Sequence, residues 1–152
     1  MPFHILLPLF LSALMSISLF AHSATDDEPP DWDVTQPNFS RNPITANLDV
    51  TEGTWLSLDV SPDGSTIVFD LLGDIYSIPM TGGDATPVTS GHGWDMQPRF
   101  SPDGTQIAFT SDRAGGDNIW IQSLTSGEAR QLTYEDFQLL NNPTWSPDGQ
   151  YI

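Results

Sequence analysis

The sequence predicts an all-β fold of short antiparallel strands arranged in repeated units, and three observations carry that prediction. The tetrapeptide Ser-Pro-Asp-Gly stands at Ser61–Gly64, Ser101–Gly104 and Ser146–Gly149, so successive copies begin 40 and 45 residues apart. The match continues on both sides: Ile67-Val68-Phe69 answers Ile107-Ala108-Phe109, Asp74-Ile75-Tyr76 answers Asn118-Ile119-Trp120, and Gly83-Asp84-Ala85 through Val88-Thr89 answers Gly127-Glu128-Ala129 through Leu132-Thr133. Within each unit the side chains alternate with a period of two, which places Ile67, Phe69 and Leu71 on one face of a sheet and Val68 and Asp70 on the other.

Taken from the N-terminus, residues 1–23 read as an export signal. An apolar run from Ile5 to Phe20 precedes the small residues of Ala21-His22-Ser23, and the run is short of the roughly 20 residues a spanning helix needs. Residues 24–47 hold Asp26, Asp27, Glu28, Pro29, Pro30, Asp31, Asp33, Pro37 and Pro43. That is too charged and proline-rich for regular structure, so the segment reads as a leader or linker. Residues 48–152 carry the repeats.

Each Ser-Pro-Asp-Gly has the chemistry of a chain reversal. Proline presets φ near −65° at the first central position, aspartate bonds nearby backbone, and glycine accepts positive φ. A second turn follows at Thr81–Asp84 and again at Thr125–Glu128. The second unit gains four residues in Ser111–Gly116, where a turn lengthens without disturbing strand pairing. Four strands in about 40 residues is the arithmetic of a β-propeller blade. The expectation is therefore an incomplete propeller: two complete four-stranded blades and the start of a third, cut within a strand at Tyr151-Ile152. A ring usually closes with about four to eight blades, so further blades are expected downstream.

Composition narrows the function classes. The chain carries 20 acidic side chains against four basic ones, a formal net charge of −16. Such a surface repels phosphate, which argues against nucleic acid and anionic lipid as partners. Cysteine is absent, so disulfides and thiolate metal sites are excluded.

The residues give no catalytic, cofactor-binding or metal site. Of the three histidines, His4 and His22 fall in or beside the leader, and His92 lies in a glycine-flanked loop where solvation is the expected role. No His-x-His, HExxH or Gly-x-Ser-x-Gly occurs, so neither a zinc hydrolase nor a serine hydrolase can be assembled. Asp63, Asp103 and Asp148 recur one unit apart, each expected to cap its own turn. The loop Ser111–Asn118 has carboxylates suited to calcium but lacks EF-hand spacing, and turn chemistry is its default. Trp55, Trp94, Trp120, Trp145 and Tyr76 are expected to pack between blades, and Arg99 to pair with a carboxylate of a neighbouring blade.

The pattern Ser-Pro-Asp-Gly, x-x-Ile-x-Phe, Asn/Asp-Ile-Trp/Tyr, x-Leu-Thr resembles the TolB-like, WD40-like (PD40) propeller repeats over residues 55–152. Thr51–Val60, Phe69–Tyr76 and Glu135-Asp136-Phe137 further resemble the front of exported bacterial amidohydrolases, in which a propeller precedes a metal-dependent barrel. That resemblance implies a non-catalytic scaffold or access module in the periplasm or secreted, partnered by its own downstream domain, with a zinc-like divalent metal held only there. Two other implied readings are a periplasmic propeller that binds a protein partner, and the propeller of a prolyl-oligopeptidase-like serine peptidase. Fold alone does not choose among them.

Overall fold

The computed structural model describes residues 47–152; the segments expected to be the export signal and nearly all of the leader or linker lie outside them. Among the described residues all regular structure is strand. Leu58–Val60 (β1), Thr66–Leu71 (β2), Asp74–Pro79 (β3) and Thr86–Pro87 (β4) form one sheet in the order β1-β2-β3-β4. Asp95–Phe100 (β5), Gln106–Ser111 (β6), Asn118–Ser123 (β7) and Ala129–Gln131 (β8) form a second in the order β5-β6-β7-β8. Every pairing is antiparallel. The two sheets are the two predicted blades, and among the described residues they do not close into a ring.

The β1–β2 turn is built as its residues dictate. Gly64 N donates to Ser61 O at 2.8 Å and Ser61 N to Thr66 O at 2.8 Å, with Gly64 at φ 72°. Asp63 Oδ1 accepts from the Ser61 hydroxyl at 2.6 Å and from Ser65 N at 3.0 Å. The same bonds recur around Ser101–Gly104 and Ser146–Gly149. The third turn is thus formed, although no strand of a third sheet follows it among the described residues.

The Val-Thr and Leu-Thr pairs end each outer strand by one device. Val88 N donates to Ile75 O at 2.7 Å, and the Thr89 hydroxyl accepts from Ile75 N at 2.9 Å. Leu132 and Thr133 do the same for Ile119. The threonine side chain substitutes for the missing backbone partner.

Alternation decides which faces meet. The register pairs Asp70 with Ile75, so Val68, Asp70 and Ile75 share a face of the first sheet, and all three are buried. Ile107, Phe109 and Phe100 are on one face of the second, because β5 pairs Phe100 with Ile107. Val68, Ile75, Phe100, Ile107 and Phe109 form the buried core, with Val88 and Trp120 packed against it. The core therefore sits between the blades, with opposite faces of successive units meeting. Ile67, Phe69 and Leu71 are half-buried on the far face of the first sheet, where Phe69 stacks on Tyr76 at 5.9 Å between ring centroids.

Leu72 and Gly73 make the two-residue turn between β2 and β3, both at positive φ (56° and 90°), as a type I′ hairpin requires. A Cβ on Gly73 would also meet Trp94 Cε3 at 2.9 Å. Gly73→Ala is expected to destabilise the intact protein by at least about 1–2 kcal/mol from backbone strain, whereas Leu72→Asn, better suited to that conformation, is expected to raise the thermal midpoint. Paired melting curves check both signs.

Candidate functional site

The polar groups that the fold gathers lie at the joint between the blades. β5 packs against β1, β2 and β3 of the first sheet, and side-chain carboxylates of the first sheet capture its backbone. Asp70 Oδ2 accepts from Gln97 N at 2.7 Å while its Oδ1 accepts from Ser57 N at 2.8 Å. Asp59 Oδ2 accepts from Phe100 N at 2.8 Å. Gln97 adopts φ 57° at an irregularity between Met96 and Arg99, which turns its N–H out of the ladder towards Asp70. The device repeats: Asn142, at φ 60°, donates its N–H to Gln97 Oε1 at 2.6 Å. In the opposite direction Gln122 Nε2 reaches Val88 O at 2.7 Å.

The joint also carries an ion pair. Asp95 is buried with 1% exposure and its Oδ2 accepts from the Arg113 guanidinium. Arg113 lies 5.4 Å from the Phe109 ring centroid and 5.2 Å from that of Trp120, and its Nε donates to Ser111 Oγ at 3.1 Å. The four added residues of the β6–β7 loop deliver this arginine. Beside the pair, burial and then the Asp95 charge hold the Asp74 carboxyl above its ordinary value, with Arg113 opposing them.

Two grooves flank the joint. One of about 600 Å³ opens beside the Ser-Pro-Asp-Gly turns over Val68, Val88 and Phe100. The other, about 500 Å³, lies at the far ends of the strands and is lined by Trp55, Leu56, Leu72, Trp94 and Met96.

Several expected residues fall elsewhere than the sequence suggests. Among the described residues Arg99 meets no carboxylate. Its guanidinium donates to Leu58 O at 3.3 Å, Pro98 O at 2.7 Å and Asn142 Oδ1 at 3.2 Å, while Asp59 and Asp70, the first-sheet carboxylates that reach β5, accept backbone N–H groups. Trp55 is fully exposed and does not pack between blades. Trp120 does, Trp94 covers Gly73, and Trp145 Nε1 donates to Arg99 O at 3.0 Å. His92 is exposed in the β4–β5 connection.

The Ser111–Asn118 loop has turn chemistry: Gly115 N donates to Asp112 O at 2.7 Å and Asp112 Oδ1 accepts from Trp94 N at 2.7 Å. Burial, then the Asp112 charge, raises Asp117. Among the described residues no group of three or more His, Cys, Asp or Glu could hold a metal ion, and no helix is long and apolar enough to cross a membrane.

Asp63, Asp103 and Asp148 each serve their own turn and do not converge. The Ser61 hydroxyl, then Ser65, depress Asp63 to about 2; Ser101 and Thr105 lower Asp103, and Ser146 and Gln150 lower Asp148. A depressed folded value gives stability that is present above the unfolded value of 3.8 and lost as pH falls through the folded one. Asp63→Asn is therefore expected to lower the thermal midpoint at neutral pH and to flatten its fall between pH 3.8 and about 2, measured by melting across that window.

Comparison with known proteins agrees with this architecture. The chain is 33% identical over 120 residues to the uncharacterized peptidase YuxL of Bacillus subtilis (strain 168), covering 72% of this chain and 17% of that protein. It is 31% identical over 91 residues to tricorn protease homolog 1 of Streptomyces coelicolor, covering 60% of this chain and 8% of that protein. The chain thus spans less than a fifth of either relative. The crystal structure of TolB from Acinetobacter baumannii superposes with a TM-score of 0.58 at 29% identity, over 66% of this chain and 26% of that one. Residues 57–152 match the tricorn protease N-terminal beta propeller domain, and by that match the chain belongs to this propeller family.

Proposed function

We propose that the chain supplies blades to the propeller of an exported hydrolase of amide C–N bonds, forming its scaffold and access surface while bond breaking falls to residues elsewhere in the protein. The observation that carries this reading is the use made of the carboxylates. Asp59, Asp63, Asp70, Asp103, Asp112 and Asp148 each accept a backbone N–H, so these six acids hold turns and the blade joint together.

Similarity to a peptidase and membership of a protease's propeller family support the amide-hydrolase class. The resemblance of Thr51–Val60 and Phe69–Tyr76 to amidohydrolase front ends supports the narrower version, with a divalent metal held in a downstream domain. Export rests on the signal read at residues 1–23. A second reading, an interaction propeller that docks a protein partner, is supported by the superposition on TolB.

Assay of the intact protein on amide and peptide substrates, with a chelator and with a serine-directed inhibitor, separates these. Hydrolysis that survives His92→Ala and Asp117→Asn is expected. Loss to the chelator supports the amidohydrolase, and loss to the serine reagent the peptidase. Absence of amide hydrolysis overturns the enzyme reading and favours the docking module.

A further inference from the structure

The blade joint leaves two acceptors without donors. Asp74 Oδ1 and Asp95 Oδ1 are both shut away from solvent with no hydrogen-bond partner. They belong to one place: Asp95 N donates to Gly73 O at 2.8 Å, which brings the start of β5 beside the start of β3. One guanidinium serves the pair, and it is engaged on Asp95 Oδ2. Two carboxylates against one cation is an arrangement that burial penalises, since each unsatisfied acceptor keeps its desolvation cost.

The second unit shows how the same position is otherwise filled. Asn118 stands where the first unit has Asp74. Its Oδ1 accepts from the Thr133 hydroxyl and Glu135 N, both at 2.8 Å, and its Nδ2 donates to Glu135 O at 3.1 Å and Gly116 O at 3.3 Å. Leu140 N donates to Asp117 O at 3.0 Å as Asp95 N does to Gly73 O, so Leu140 takes the place of Asp95. The later joint therefore uses a neutral carboxamide and an apolar side chain where the earlier one has two carboxyl groups. A carboxyl that keeps its proton is donor and acceptor at once, as a carboxamide is.

We propose that Asp74 keeps a proton on its buried carboxyl beside the Asp95–Arg113 pair and that its loss as pH rises weakens the joint between the blades, making this joint pH-sensitive. The direction of the Asp74 shift agrees, burial being the first cause and the Asp95 charge the second. The other charged groups around the pair have defined places. Arg113 is on Asp95, Asp70 on β2 accepts from Ser57 and Gln97, and Asp112 accepts from Trp94 N. His92 lies in the β4–β5 connection. Because the folded value is raised, this contribution is complete below the unfolded value of 3.8 and is lost as pH rises through the folded value, opposite in sign to that of Asp63.

Asp74→Asn imitates the protonated carboxyl. In the intact protein the variant is expected to melt with the wild type at pH 4 and about 2–4 °C above it at pH 8. The Asp74 carboxyl carbon of the wild type, followed by NMR, is expected to titrate above the ordinary carboxylate range. A variant that melts at or below the wild type at pH 8, or an Asp74 carboxyl that titrates at or below the ordinary range, overturns the proposal.

Discussion

Arg113→Ala is expected to remove about 3–5 kcal/mol of folding stability, the usual result of breaking a buried ion pair from one side. Asp95 is buried to 1% exposure and Arg113 is the cation paired with it. The loss combines a stranded carboxylate with the removal of the cation from the Phe109 and Trp120 rings. Arg113→Lys recovers only part of it, because an ammonium cannot bond Asp95 in a plane and stack on two rings at once. Denaturant unfolding of both variants, with Arg113→Ala/Asp95→Asn completing the comparison, reads the coupling directly. The double substitution is expected to be more stable than Arg113→Ala alone.

Phe109→Ala ranks beside it, at about 3–5 kcal/mol for an aromatic removed from a closed core. Phe109 is fully buried and sits in the cluster of Val68, Ile75, Phe100 and Ile107, which both blades supply. The cavity would open at the joint, where two sheets would have to move together to fill it. Phe109→Leu keeps most of the volume and is expected to cost less than half as much by the same unfolding measurement.

What the sequence makes legible here is local in origin. The Pro62-Asp63-Gly64 turn, its two copies and the four-strand unit follow from chemistry contained within a few neighbouring residues, and the period of two in β2 and β6 correctly separates the faces. The x-Leu-Thr ending was visible as a pattern, but its mechanism, a hydroxyl accepting from a strand N–H 14 residues earlier, appears only in the fold. The bulge at Gln97 was not legible, since its positive φ answers to Asp70, 27 residues away. Nor was the Asp95–Arg113 pair, because the added loop residues read as turn material and nothing local places Arg113 over two rings. Arg99 stood out in the sequence for its charge within a strand, yet carbonyl and carboxamide oxygens receive it. Trp55 shows the converse limit: an aromatic beside a repeat position is no guarantee of packing.

These repeats are adjacent blades locked by first-sheet carboxylates on second-sheet backbone. Amide hydrogen exchange at Gln97 and Phe100 in the intact protein tests it most directly, since their N–H groups donate to Asp70 and Asp59. Both are expected to exchange as slowly as the amides of β6. In Asp70→Ala, Gln97 is expected to lose its protection while the amides of β6 keep theirs. Rapid exchange at both positions in the wild type, with β6 protected, would contradict this locking and leave two sheets folded but not joined in this way.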